Sequence, residues 1–338
     1  MSAQLHAPGL WALAWRRLRA DRIAMAALAV VCGFLLMLLA SSAGLVAADW
    51  EREVAVNYAP PTFIGEDAGA RALAAAQAPG AQARAPNAFD PLAADLAELR
   101  AQLATVAPPP PKAGTLPFGA DKWGHDVIKK TIKGGETSIV VGLVAAFVAV
   151  ALGTLFGALS GFYGGLVDDL FNWFYSIFTA IPSILMILTV AAVLQQKGVM
   201  TIVLILGLTG WTGPYRLMRA EYIKHKAREY VMAADAIGAS AWRRMFVHIL
   251  PNVSHVALVQ MSILVVGFIK AEVILSFLGF GVPVGVVSWG SMLNEAQNEL
   301  ILGKWWQLAA AASAMALLVT AFSLFADALR DALDPKLK

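Results

Sequence analysis

The chain has 338 residues, of which 59% are hydrophobic and only 14% charged, with a mean hydropathy of +0.65 and a formal net charge of +3. A soluble domain of this length does not carry that balance, so a membrane protein with several spans is expected. A single cysteine excludes an intrachain disulfide framework or a cysteine metal site, and the small positive charge gives no footprint for nucleic acid.

Roughly 20 apolar residues cross a bilayer as a helix, and six stretches qualify, at about 23–47, 137–160, 170–194, 199–219, 253–278 and 307–328. A spanning segment must satisfy its own backbone hydrogen bonds, so the expected fold class is an all-α integral membrane protein with six transmembrane helices. Residues 1–22 carry Arg16, Arg17, Arg19 and Arg22 ahead of transmembrane helix 1 at 23–48, which holds the lone Cys32. Leu45-Val-Ala-Ala48 has the small residues of a cleavage site, but the apolar run is longer than a signal peptide needs and reads as an uncleaved span.

Residues 49–136 form a large external insertion between helices 1 and 2. Its 66–88 part is rich in Ala, Gly, Pro and Gln, and Pro108-Pro-Pro-Pro111 makes a stiff, extended connector. Between them Asp90-Pro91 is a helix start, and Leu92, Leu96, Leu99 and Leu103 form one apolar stripe. That pattern predicts an amphipathic helix over about 91–106, packed on the outer face or on a partner, or simply solvated. Lys129, Lys130 and Lys133 end the segment and run against the charge rule that sets orientation.

The core spans 137–328. In the second apolar stretch Ala149, Gly153, Gly157 and Gly161 recur every four residues, a small-residue face for close helix packing. Pro182 interrupts the third, and Gly207, Gly210, Gly213 and Pro214 weaken the fourth; such kinks serve a gate or are ordinary bundle irregularities. Then comes a charged island, about 220–251, carrying Glu221, Lys224, Lys226, Arg228, Glu229 and Asp235. A helix over 221–237 should end at Gly238 in the left-handed conformation, with Ser240 capping a second helix that ends at Pro251. Ala233 and Ala234 just before this elbow would let another protein approach the backbone closely; a basic loop lying on lipid is the other reading.

In the fifth stretch Lys270 and Glu272 sit where an isolated charge costs roughly 2.5–3.5 kcal/mol. Two apart on a helix, they do not face each other. Glu272 therefore points to a polar cavity or the external mouth, or snorkels to the interface. Arg330, Lys336 and Lys338 follow the last span, in the segment 329–338. These residues, the N-terminal arginines and the island's Arg216, Arg219, Lys224, Lys226, Arg228, Arg243 and Arg244 all fall on one side of a six-span chain. That side is expected to be cytoplasmic, with both termini inside.

Catalytic motifs are missing from the sequence. The one Gly-Lys pair, Gly303-Lys304, lacks an upstream phosphate loop, the five histidines have no zinc-ligand spacing, and no nucleophile-elbow serine occurs. An ATP-coupled transporter would need its ATPase on other chains.

The island resembles the cytoplasmic loop of binding-protein-dependent ABC importer permeases, whose pattern is Glu-Ala-Ala, three residues, Gly, then a later Leu-Pro, here Leu250-Pro251. More narrowly, the chain is similar to the C-type permease of dipeptide and oligopeptide importers. Pro117-Phe-Gly-Ala-Asp-Lys-Trp-Gly-His-Asp126 looks like that family's Gly-Thr-Asp-x-x-Gly-Arg-Asp element. Gly161-Phe-Tyr-Gly-Gly165, Ile181-Pro-Ser183, Glu229-Tyr-Val231, His248-Ile-Leu-Pro-Asn252, Leu275-Ser-Phe-Leu-Gly279, Ser288-Trp-Gly290 and Asp327-Ala-Leu-Arg-Asp-Ala-Leu-Asp-Pro-Lys-Leu337 follow in family order. Met232 stands where the loop pattern has Glu, leaving Glu229 one turn earlier as a substitute, and Ala120 and His125 replace the family's Thr and Arg.

The resemblance implies a type I ABC importer permease fold in the bacterial inner membrane. It also implies a homologous B-type permease subunit, two ATPase subunits, an external substrate-binding protein and the lipid bilayer as partners. No cofactor is expected in this chain, with ATP and Mg on the ATPases. Glu229, Ala233, Ala234, Asp235, Gly238, Leu250 and Pro251 would form the ATPase-coupling loop, and Pro182, Gly210, Gly213 and Glu272 are candidates for the pathway or its gate. Relatives with this pattern carry peptides, nickel chelates, opines or oligosaccharides. A secondary transporter or channel is the alternative, and it should show more intramembrane ionisable residues.

Overall fold

A computed structural model describes residues 10–65, 95, 99, 112–196, 198–283 and 285–333. The first helices are α1 (Leu10–Ala20) and α2 (Arg22–Ser42). Asp21 sets the start of α2, its Oδ1 accepting from the amides of Ile23 at 2.8 Å and Ala24 at 3.2 Å. At ~1.5 Å per residue α2 is about 31 Å long, enough for a hydrocarbon core of ~30 Å. α3 (Val127–Tyr163) starts well before the apolar stretch, because Asp126 caps it through the amide of Ile128 at 2.8 Å.

α4 (Gly165–Ala180) and α5 (Ser183–Leu194) meet at 88°. Pro182 has no amide to donate and pushes Ile181 to an extended conformation (φ −105°, ψ 134°), so the helix cannot run through. The fourth apolar stretch is two helices, α6 (Val199–Thr209) and α7 (Thr212–Lys226). The break falls before Pro214, where the amide a continuous helix needs is missing. α8 (Glu229–Ala236), α9 (Ala241–Phe277), α10 (Trp289–Ile301) and α11 (Trp306–Leu333) complete the order. Among the described residues four helices, α2, α3, α9 and α11, are long and apolar enough to cross a membrane, and the bent pair α4–α5 passes the same test together; α6, ~16 Å long, is too short alone. The remaining pairings among the described residues are isolated bridges. Of the expected helix over 91–106 only Asp95 and Leu99 are described, both helical and exposed. The rest of that helix, the 66–88 segment and Pro108–Pro111 lie outside the described residues.

The chain divides into two compact units. In the first, 1–48, 131–295 and 311–338, Ala27 and Val31 of α2 pack with Ala321 of α11, and Ala14, Leu18 and Ala24 with Ala332 and Leu333. The small-residue face of α3 lies against α7: a Cβ on Gly157 would stand 2.8 Å from the Tyr215 carbonyl, and one on Gly161 2.6 Å from that of Arg219. Here the four-residue repeat brings two backbones together.

The second unit, 49–130 and 296–310, has an apolar centre of fully buried Ala55, Val56, Ala59 and Ala120, onto which Trp306 donates from Nε1 to the Ala120 carbonyl at 2.6 Å. Its polar centre is Asp121. Oδ1 accepts from the amides of Trp123 and His125, both at 2.9 Å, while Oδ2 accepts from Lys130 Nζ at 2.6 Å and lies 3.0 Å from His125 Nδ1. Burial pushes the Asp121 carboxyl up, but the Lys130 ammonium and the His125 amide outweigh it and hold it below its ordinary 3.8. Gly124 turns the loop at φ +84°, and any Cβ there would sit 2.1 Å from the Ala55 carbonyl oxygen.

The lysines that ran against the charge rule are each paired: Lys129 with Asp49 at 2.8 Å, Lys130 with Asp121, and Lys133 with Glu136 at 2.8 Å.

Candidate coupling site

The island folds as an elbow. α7 passes through the short link Ala227-Arg228 into α8, and α8 closes at Gly238 (φ +83°), whose amide donates to the Asp235 carbonyl at 2.8 Å while Ala239 donates to Ala234 at 2.9 Å. That pair of bonds satisfies the last carbonyls of α8 and requires the left-handed residue. Ser240 then caps α9, its hydroxyl accepting from the Arg243 amide at 3.3 Å. The expected end at Pro251 is corrected. α9 widens into a π turn over Arg244–Ile249, in which the Leu250 amide bonds to Met245 five residues back, and continues to Phe277. Pro251 lacks an amide and crowds the carbonyl four residues earlier, so the wider turn carries the helix past it. Asn252 Nδ2 takes up the His248 carbonyl at 2.7 Å.

Beneath the elbow, Val231 of α8 inserts between Ala158 and Phe162 of α3, Met218 and Tyr222 of α7, and Met245, Ile249 and Val253 of α9. Ala234 is buried one turn on, and Leu250 packs against the same cluster. The opposite face is open. Glu229, Ala233 and Asp235 are exposed, as are Met232 at 53% and Ile237 at 86%. Asp235 bonds to Arg244 of the π turn at 2.6 Å, and the Arg244 and Lys226 cations lie 5.4 and 5.5 Å from the Phe162 ring centre. Burial holds the His225 imidazole below its ordinary 6.5 despite Glu221, with Nδ1 2.8 Å from the Tyr230 hydroxyl. Sequence reasoning placed Glu229, Ala233, Ala234, Asp235, Gly238, Leu250 and Pro251 together; it missed Val231, Tyr222 and Arg244, which seat α8. The expectation that Ala234 faces a partner beside Ala233 is corrected: three residues after Val231 it lies on the same side of α8 and is buried with it.

The gating candidates separate. Pro182 lines a cleft of about 280 Å³ with Phe178, Thr179, Met186, Thr209 and Thr212, so the α4–α5 bend faces the α6–α7 break. Gly210 seats the Phe268 ring, which a Cβ would meet at 2.3 Å, and Gly213 is open, with Gln260 Oε1 at 3.8 Å. Glu272 neither lines that cleft nor snorkels. It is fully buried, accepting from the hydroxyls of Ser138 and Ser276, each at 2.6 Å, and Ser138 in turn accepts from the Trp289 amide. A charge-bearing side chain inside an apolar helix has found protein donors, which no spacing within one helix could foretell. Lys270 is exposed.

Residues 153–338 match the family described as binding-protein-dependent transport system inner membrane component, and residues 9–61 match the N-terminal TM domain of oligopeptide transport permease C. The chain belongs to the binding-protein-dependent transport permeases. The permease is 36% identical over 221 residues to the dipeptide transport system permease protein DppC of Bacillus subtilis (strain 168), covering 65% of this chain and 69% of that one. The oligopeptide transport system permease protein OppC of the same strain is also 36% identical over 221 residues, covering 65% and 72%. OppC of Haemophilus influenzae is 34% identical over 219 residues, covering 65% and 70%. The permease is thus a C-type subunit of an ABC importer, a multi-pass membrane component rather than an enzyme. The family match contains the whole elbow.

Proposed function

We propose that this permease forms one half of the translocation pathway for peptides or similar small solutes in the bacterial inner membrane. It pairs with a homologous B-type permease, two cytoplasmic ATPase subunits that carry ATP and Mg, and an external substrate-binding protein. Six spans place both termini inside and 49–136 outside, with α6 and the first part of α7 acting together as the fourth span. The observation that carries the reading is the exposed face of α8 around Glu229 and Ala233, closed by Gly238 and standing on a buried cluster drawn from α3, α7 and α9. A short helix held so firmly on one side and left bare on the other suits a partner's groove. When the ATPases close on ATP, α8 is displaced, and α7 and α9, whose side chains form its seat, move with it.

Co-purification from native membranes tests the assembly. The permease should bring ATPase subunits with it, and a tag at Ala75 should be reached from outside while one at Lys226 is reached from inside. Recovery without any ATPase, or labelling of both tags from one side, overturns the reading.

A further inference from the structure

α4 has no buried residue of its own, yet it carries the arm that bends at Pro182. One polar cluster ties its first turn to the rest of the unit. The Asp168 carboxylate accepts from Arg219 of α7 through two parallel bonds, Nε to Oδ1 and Nη2 to Oδ2, both at 2.5 Å. Oδ1 also accepts from the Ser160 hydroxyl of α3. One turn along, Asn172 Nδ2 donates to the Asp168 carbonyl at 2.9 Å, and Asn172 Oδ1 accepts from the Tyr215 hydroxyl at 3.2 Å, itself 3.0 Å from Ser160 Oγ. Three helices meet in five side chains. α4 also meets Trp211, at the break before α7, and Tyr215 of α7 through aromatic rings, with Phe174 and Phe178 each 5.4 Å from Trp211 and Tyr175 5.6 Å from Tyr215. Ring pairs prefer stacked or edge-on arrangements but are worth only about 0.5–1.5 kcal/mol each, so they hold register more loosely than a charged fork. A two-pronged guanidinium–carboxylate bond fixes distance and angle together.

Position gives that rigidity a use. Arg219 lies on α7, whose Met218 and Tyr222 form the seat of Val231 in α8. On the other side, the consecutive positive-φ glycines Gly164 and Gly165 free the start of α4 from the line of α3. We propose that the Asp168–Arg219 pair is the positioning link that carries displacement of the coupling elbow into α4 and so to the Pro182 bend. Resting on the coupling role assigned to α8 above, the link makes α7 a lever with the elbow at one end and the pathway arm at the other.

Spin labels in the assembled complex, with Cys32 replaced by Ser, test it without knowledge of the transported solute. One pair spans Ala236 of α8 and Phe147 of α3, and a second spans Leu185 of α5 and Phe147. Trapping with ATP and vanadate should shift both distances in the otherwise native protein. In Asp168→Asn and in Arg219→Lys, which keeps the charge but not the fork, the elbow pair should still shift while the Leu185 pair loses most of its change. The exchange Asp168→Arg with Arg219→Asp should restore part of it. A full Leu185 shift in both single variants overturns the link. Failure of both variants to assemble overturns it too, since the pair would then serve only the fold. Absence of an elbow shift in the unmodified pair of residues would instead remove the coupling role of α8 itself.

Discussion

At the elbow, the ion pair Arg244–Asp235 lies at the surface, with the Asp235 side chain 59% exposed, and Ala233 and Gly238 beside it are exposed. Around Asp121 the opposite holds: the carboxylate is fully enclosed and the Lys130 side chain only 4% exposed, with backbone amides completing the shell. An enclosed pair has given up water and must keep every partner, so it fixes one conformation of the loop before α3. A surface pair gains little in stability and leaves its helix free to meet something else.

Removing one partner from each pair should therefore separate the two regions most. Asp121→Ala leaves the Lys130 ammonium enclosed without its carboxylate, a loss of about 3–5 kcal/mol. Hydrogen exchange at the amides of Val56 and Ala120 should then speed by roughly two to four orders of magnitude if this unit opens as a whole. Asp235→Ala should change exchange around Val231 by less than about 1 kcal/mol. Equal effects at the two sites would end the contrast.

Gly238→Val comes next. Nothing lies within 4 Å of a Cβ at Gly238, so the cost is torsional, about 1–3 kcal/mol for a β-branched residue at φ +83°. Transport-coupled ATP hydrolysis of the reconstituted complex should fall while the spans stay inserted. Gly238→Asn, which tolerates the left-handed region, should recover much of it. A valine variant as fully coupled as the glycine would show that the turn is incidental.

Acid should act on the enclosed pair, and more gently than deletion. The Asp121 carboxyl is held below its ordinary 3.8 in the folded protein, so its contribution is complete above that value and is lost as pH falls through the lower, folded value. Protection of the Val56 and Ala120 amides, corrected for intrinsic exchange, should therefore decline below about pH 3.8. If Asp121→Asn shows the same decline, another group is responsible.

What could be read from the sequence divides along the same line. Gly238 and Ser240 were legible because their roles are local, set by backbone torsion and a three-residue hydrogen bond. The Gly153–Gly157–Gly161 face was legible as a repeat, though its partner α7 was not. Pro251 misled because a proline rule built on single helices does not include the π turn that packing of Met245 and Ile249 can sustain. Glu272 was harder to read because its partner Ser138 comes from another helix, and the pairing of Lys129 with Asp49 spans 80 residues of one segment, beyond the reach of any local pattern. Arg219 was counted only as a topological charge, although opposite charges at the edges of two apolar helices hint at a pair.

Ala233→Arg is the smallest change and the most pointed. Ala233 is exposed while its neighbours Val231 and Ala234 are buried, so a long side chain there projects from the bare face and should alter stability by no more than about 0.5 kcal/mol. If that face seats against an ATPase, added bulk and charge at the point of close approach should still release the ATPase or uncouple it. Ala227→Arg introduces the same side chain in the link before α8, also exposed, and should be milder, because the contact is assigned to the helix and not to basic surface in general. The decisive quantities are the ATPase retained on purification and its coupled hydrolysis. Equal losses in the two variants would point to charge alone, and native coupling in both Ala233→Arg and Gly238→Val would reduce the elbow to a surface loop.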